Sequence, residues 1–262
     1  MSADQQQQDP DYLLRETNRE VERLRKQHRW LRACLDDEIV FAPVDLGDAS
    51  LKVLDVGCAD GIHLRDLRDD LAPSAQLVGL DCMASFLPAS PDGHIRYATG
   101  DACERPAGDL VGAFGLTHVR FVLPGCGRVG ADRVVANLAE TLAPGGWLQI
   151  QEMDLSAGRT AGPSALNNVL DLFEGVFEGV FEGSGMGGRF SVRLGECGAE
   201  ERGGAWSSPW GAGLLRARAF VGSMGAELPE SLFDGLEERF EEEMLETGGT
   251  FGTFIAYGQR SL

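Results

Sequence analysis

Leu54-Asp55-Val56-Gly57-Cys58-Ala59-Asp60-Gly61 is the stretch that decides the fold. An apolar run, Leu51–Val56, leads into it, and Ile62 onward reads as a helix, so the octapeptide is a strand–turn–helix junction. Glycine at 57 and 61 lets the backbone turn sharply and approach a ligand where a side chain would collide. The helix that follows offers unpaired N–H groups. A dinucleotide fingerprint starting at Gly57 would need glycine where Ala59 and Ile62 stand, so a pyrophosphate cradle is disfavoured.

Outward from this junction the chain alternates. Gln76–Leu80, His94–Thr99, Ala113–Val119 and Trp147–Met153 read as strands, with a helix over about 131–142 that stops at Pro144-Gly145-Gly146. Such alternation predicts an α/β protein: a doubly wound, mostly parallel sheet with helices on both faces, binding ligands beyond the carboxyl ends of its strands. Phe251–Tyr257 reads as a final strand.

Three carboxylates fall at three successive strand ends. Asp55 ends the first strand. Asp81, twenty residues after Gly61, ends the second and can accept both hydrogen bonds of a ribose diol. Asp101, after the third, can accept from an exocyclic amine. The set suits a ligand with a ribose, an amino-purine and cationic groups, and suits a phosphate-bearing one poorly. The plainer alternative is that each aspartate caps a helix.

Leu54–Gly61, Val78-Gly79-Leu80-Asp81, Gly100-Asp101-Ala102 and Leu142–Glu152 resemble, in order and spacing, the motifs of class I S-adenosylmethionine-dependent methyltransferases. Arg23-Leu24 with Gln27-His28, His118-Val119-Arg120, Gly145–Ile150 and Tyr257-Gly258-Gln259-Arg260 narrow the likeness to fungal small-molecule methyltransferases of secondary metabolism. The resemblance covers about residues 12–155 and the last strand. It implies a Rossmann-like, seven-stranded sheet and S-adenosyl-L-methionine as cofactor. By position, Asp55 and Gly57 would hold the methionine end, Asp81 the ribose, and Asp101 with Ala102 the adenine. Cys58, Ala59, Gly61 and Cys82 would complete that set. Arg120 and His118 would lie near the transferring methyl, and Tyr12, Gln27 and His28 would belong to an N-terminal lid. Ala59 stands for the usual middle glycine, Gly115 for a common aspartate, and His63 where an aromatic is frequent.

The implied organisation is one domain over 1–262: helix or lid 12–35, cofactor core 50–155, substrate region 156–250 and final strand 251–262. Leu14, Val21, Leu24, His28, Leu31 and Leu35 mark the first helix, an arginine-rich element expected to dock on the acidic body. Phe173, Phe177 and Phe181 repeat at helical spacing beside Gly175, Gly179 and Gly183, as a core stripe or a mobile lid. A further helix carries Leu228, Leu232, Leu236, Phe240 and Met244. Its Glu237, Glu238, Glu241, Glu242 and Glu243 read as a solvated face.

Composition bounds the function. With 41 acidic and 23 basic residues the 262-residue chain has a formal charge of −18, which disfavours nucleic acid and anionic membranes. MSADQQQQDP has no basic n-region or apolar h-region, so a cytoplasmic protein is expected. The six cysteines lack ligand spacing; reduced thiols and no metal are expected. The predicted activity is methylation of an O, N or S atom on a small, fairly apolar acceptor. His118 and His28 are the candidate bases, ahead of His63, Glu152 and Asp154. A cyclase or pericyclase on the same fold, and a non-catalytic regulator binding protein partners, remain the alternatives. Acceptor identity and oligomeric state stay open.

Overall fold

Strand β1 (Lys52–Val56) is buried on both faces because it lies inside the sheet, flanked by β2 (Gln76–Asp81) and β4 (Phe114–Arg120). The computed structural model describes residues 17–90, 93–126, 129–154, 158–181, 234–249 and 252–261. Among them the sheet has six strands, with β3 (Ile95–Thr99), β5 (Leu142–Asp154) and β6 (Gly252–Gln259), in the order β3-β2-β1-β4-β5-β6. Five are parallel and β6 pairs antiparallel with β5. This is the expected Rossmann-like, doubly wound sheet, with six of the seven expected strands among the described residues.

Strand alternation divides the core. Leu54, Val56, Val119, Leu148 and Ile150 pack with Val134 and Leu138 of helix α3 (Ala131–Thr141). Val53, Leu77, Ile95 and Leu116 face the other way, onto Leu64 and Leu67 of helix α2 (Ile62–Arg68). The same parity places Asp55, His118 and Arg120 on the α2 face, where β1 and β4 diverge in topology.

Helix α1 (Thr17–Cys34) covers the loops at the strand ends. Its Val21 and Leu24 pack against Ala59, Met83 and Phe86. Arg25 reaches Asp60 at 2.8 Å, and Arg32 reaches Asp66 at 2.6 Å. The basic helix therefore docks on the acidic body, as its charge implied; Tyr12 lies outside the described residues.

Two elements depart from the sequence expectation. Pro144-Gly145-Gly146 lies inside β5, because a register shift between Phe114 and Leu116 absorbs the extra residues. A Cβ at Gly146 would sit 2.5 Å from the Phe114 carbonyl oxygen, so only glycine permits this approach. Helix α4 (Ala165–Phe181) runs through Gly175 and Gly179, and packs on helix α5 (Leu236–Glu246) through buried Leu166, Leu170, Phe240 and Met244. Glu243 is not merely solvated: its carboxylate accepts the Ala165 and Leu166 amides and caps α4. Gly183, Leu228 and Leu232 lie outside the described residues.

The chain between α1 and β1 is fastened by one buried side chain. Gln149 on β5 accepts the Phe41 and Ala42 amides at 2.7 and 3.0 Å and donates to the Ile39 carbonyl at 3.0 Å. Gln149→Leu strands all three groups, at a cost of about 3 kcal/mol. Its melting temperature should fall by roughly 6–12 °C in a circular-dichroism melt; an unchanged value would mean the segment is held elsewhere.

Candidate functional site

The junction loop is held in shape by the protein itself. Gly57 and Gly61 have φ of 77° and 76°. A Cβ at Gly57 would lie 2.3 Å from Val122, and one at Gly61 2.1 Å from the Tyr97 hydroxyl. Ala59 also sits at positive φ, 47°, which costs a non-glycine residue about 1 kcal/mol. Part of that cost is offset by Asp81, whose Oδ2 accepts the Ala59 amide at 2.8 Å while Oδ1 accepts Met83 N–H. Asp81 thus ties the β1 loop to the β2 loop, and is buried there. Asp101 accepts the Cys103 amide, the turn-capping contact considered as its plainer role.

Ala102 is buried and Cys82 half-buried beside these carboxylates. Burial, with Asp81 and Asp101 nearby, pushes the Cys82 thiol up to about 11, and burial with Asp55 and Asp81 raises Cys58 further. Neither is a thiolate nucleophile at neutral pH. Among the described residues Cys58, Cys82 and Cys126 are free thiols.

A polar cluster fills the α2 face. Asp55 Oδ1 accepts from His118 Nδ1 at 2.7 Å, both residues being buried. That fixes the neutral tautomer with its lone pair on Nε2, which is buried and has no hydrogen-bond partner. The His63 ring stacks on His118 at 4.0 Å and 12°. Burial, with the Arg120 charge adding to it, holds the His63 pKa well below the usual imidazole value, and neither of its nitrogens has a hydrogen-bond partner. Asp55, His63 and His118 place three donor atoms within 4.8 Å of one another. The two rings lie in near-parallel planes, however, so their in-plane lone pairs do not converge on one ion.

His28, a candidate base from the sequence, has both ring nitrogens in contact with other side chains. Nδ1 faces Arg120 Nη2 at 3.0 Å and Nε2 faces Asp66 at 2.9 Å. Both nitrogens are engaged and the side chain is fully buried, so no lone pair is left to take a proton. Burial, and then Arg120, lowers its pKa to about 4. Asp60 and Asp66 were not singled out from sequence. Burial opposes their charge, yet Arg65 and Arg25 hold Asp60 low, and His28 and Arg32 hold Asp66 low.

No family model matches the chain. The N-methyltransferase verN of Clonostachys rogersoniana is 31% identical over 145 residues, 54% of this chain and 50% of that protein. That match thus spans half of the relative. The N-methyltransferase tcpN of Claviceps purpurea is 27% identical over 92% of this chain and 94% of its own. The N-methyltransferase sirN of Leptosphaeria maculans is 32% identical over 195 residues, 74% of this chain and 68% of that one. The chain belongs to the class I S-adenosylmethionine-dependent methyltransferases. Within the described residues of this methyltransferase, no helix is long and apolar enough to cross a membrane.

One carboxyl of the methyltransferase stands apart. Glu152, near the end of β5, accepts the Val122 and Leu123 amides on Oε1, both at 3.0 Å, and so fixes the loop after β4. Burial raises its pKa from 4.5 to about 8, outweighing the two amides. Between those values the native state holds a proton that the unfolded chain has lost, so stability declines as pH rises through this window. Glu152→Gln keeps an acceptor for both amides and removes the titration. The melting temperature of the variant minus that of the wild type should rise from about pH 5 to about pH 8; a flat difference would mean that Glu152 is ionised in the native state.

Proposed function

We propose that this chain transfers a methyl group from S-adenosylmethionine to a nitrogen, oxygen or sulfur atom of a small, fairly apolar metabolite, nitrogen being favoured. The observation that carries this is the chemistry of the strand ends on a chain of this family. Carboxylates stand beyond β2 and β3, and a guanidinium beyond β4, with no phosphate-binding glycine fingerprint. That donor set is complementary to a ribose diol, an aminopurine and a zwitterionic amino acid, and so fits the cofactor. Three relatives named N-methyltransferases, verN, tcpN and sirN, support nitrogen as the acceptor.

In this reading Asp81 accepts from the ribose hydroxyls, while its bonds to Ala59 and Met83 keep it aimed. Asp101 and Ala102 meet the adenine edge, with Cys82 beside them. The backbone of Gly57, Cys58, Ala59 and Gly61 lines the amino-acid side, and Asp55 lies beneath it. Helix α1 forms the cover. When bound, the cofactor supplies an electrophilic methyl on a sulfonium, so in-line displacement needs mainly alignment and exclusion of water.

An N–H or O–H acceptor also gives up a proton. His118 is the candidate base, with Asp55 holding the tautomer that leaves Nε2 free.

Incubation with methyl-labelled S-adenosylmethionine and a panel of small amides, amines, thiols and phenols tests the activity. A product heavier by one CH2 unit, together with S-adenosylhomocysteine, is expected. A rearranged product of unchanged mass would favour the cyclase alternative, and no cofactor binding would favour the regulator. Asp81→Ala should weaken S-adenosylhomocysteine binding at least tenfold by calorimetry, about 1.4 kcal/mol. Unchanged affinity in that variant would remove Asp81 from the site.

A further inference from the structure

Arg120 is the last residue of β4, at the switch point, on the same sheet face as Asp55 and His118. Two residues later, Val122 fills the space beside Gly57, so the end of β4 lies next to the junction loop. Arg120 is half-buried, and desolvation lowers its pKa against the pull of Asp55 and Asp66. Its one hydrogen bond among the described residues goes to His28, and no carboxylate there pairs with it within 4.0 Å. A desolvated cation without a paired anion is costly. The missing partner has the chemistry of a carboxylate.

The contact to His28 explains how the cation stays available. Arginine only donates, so His28 Nδ1 must accept, and the imidazole proton is on Nε2. That N–H donates to Asp66 at 2.9 Å, and Asp66 is held by Arg32 at 2.6 Å. The order Arg120, His28, Asp66, Arg32 is thus a chain of donors and acceptors with one allowed polarity. A carboxylate in the place of His28 would have neutralised Arg120. A neutral imidazole orients one Nη and leaves the positive charge and the remaining N–H donors to a ligand.

We propose that Arg120 is the seat of the carboxylate of the cofactor's methionyl group, and that His28 and Asp66 are the positioning residues that aim it. This rests on the cofactor reading above. His28 belongs to α1 and Asp66 to α2, so the seat is complete only while α1 is docked. His28 therefore serves the amino-acid end of the cofactor, whereas Asp81 serves its ribose.

Two probes separate the contributions: S-adenosylhomocysteine, and its decarboxylated analogue, which keeps the ammonium, thioether, ribose and adenine. Titration calorimetry on the full chain should show the wild type binding the first more tightly. Arg120→Gln should lose roughly 10- to 100-fold in affinity for S-adenosylhomocysteine and less than about threefold for the analogue. His28→Ala and Asp66→Ala should show the same selective loss at roughly three- to tenfold. His28→Gln, whose amide can accept from Arg120 and donate to Asp66, should restore most of it. Asp81→Ala should weaken both probes alike.

Equal losses for both probes in Arg120→Gln would overturn the seat and make Arg120 structural. Arg120→Lys, which keeps the charge and loses the fork, carries the same comparison if the glutamine variant does not fold. A selective loss in Arg120→Gln without one in His28→Ala would overturn the positioning role. Wild-type protein that binds neither probe would overturn the cofactor reading itself, and the seat with it.

Discussion

The bond between Asp55 and His118 is the constraint on which the functional end of this fold depends. Parallel pairing of β1 with β4 sets Asp55 level with His118, both of them buried. A buried carboxylate there must have a hydrogen-bond partner, and the 2.7 Å contact supplies one. Once Nδ1 is committed, Nε2 carries the lone pair, and the ring plane is fixed for His63 to stack upon. His63 in turn meets His28 edge-on at 5.9 Å, so the position of α1 is felt at the sheet. From β1 outward to the covering helix, each buried polar group sets the geometry of the next.

That arrangement gives the acidic chain a division of labour. The net charge of −18 does not mean a uniformly negative site. Arg25 and Arg32 of α1 are spent on Asp60 and Asp66, which lie just before α2 and within it. Docking therefore neutralises carboxylates that would otherwise crowd the junction loop. Arg120, deeper in, keeps its charge because its neighbour is an imidazole. Salt should loosen α1 only modestly, since Asp60 is buried and paired with two arginines, one of them from α2 itself.

Much of this was legible in the sequence, for reasons that can be stated residue by residue. The strands are short apolar runs with period two, and Asp55 and Asp81 end them. The octapeptide 54–61 announces the junction because glycine is needed at positive φ. What the sequence could not show was which partner each polar group finds. Asp60 and Asp66 bond to residues 34–38 positions away, and no local pattern encodes such a pairing. Gln149 looks like any strand glutamine until its three contacts to residues 39–42 are seen. His28 was legible as a buried histidine on an apolar stripe, but its contacts to Asp66 and Arg120 were not, because spacing gives a side chain's face and not its hydrogen bonds.

The two glycines of the junction carry the argument further. Their spacing suggested room left for a ligand, yet Val122 and Tyr97 occupy the places where their Cβ atoms would go. The loop is therefore shaped before any ligand arrives. Ala59, strained at φ 47° and tied to Asp81, belongs to the same preset frame. Glu152 extends it by pinning the segment that holds Val122. A frame of this rigidity lets binding free energy go into orienting the reacting groups rather than ordering the loop. It also implies that ligand entry depends on elements outside the frame. Of the described elements α1 is the one suited to this: it covers the loop with side chains rather than backbone pairing, through Val21, Leu24, Arg25 and His28.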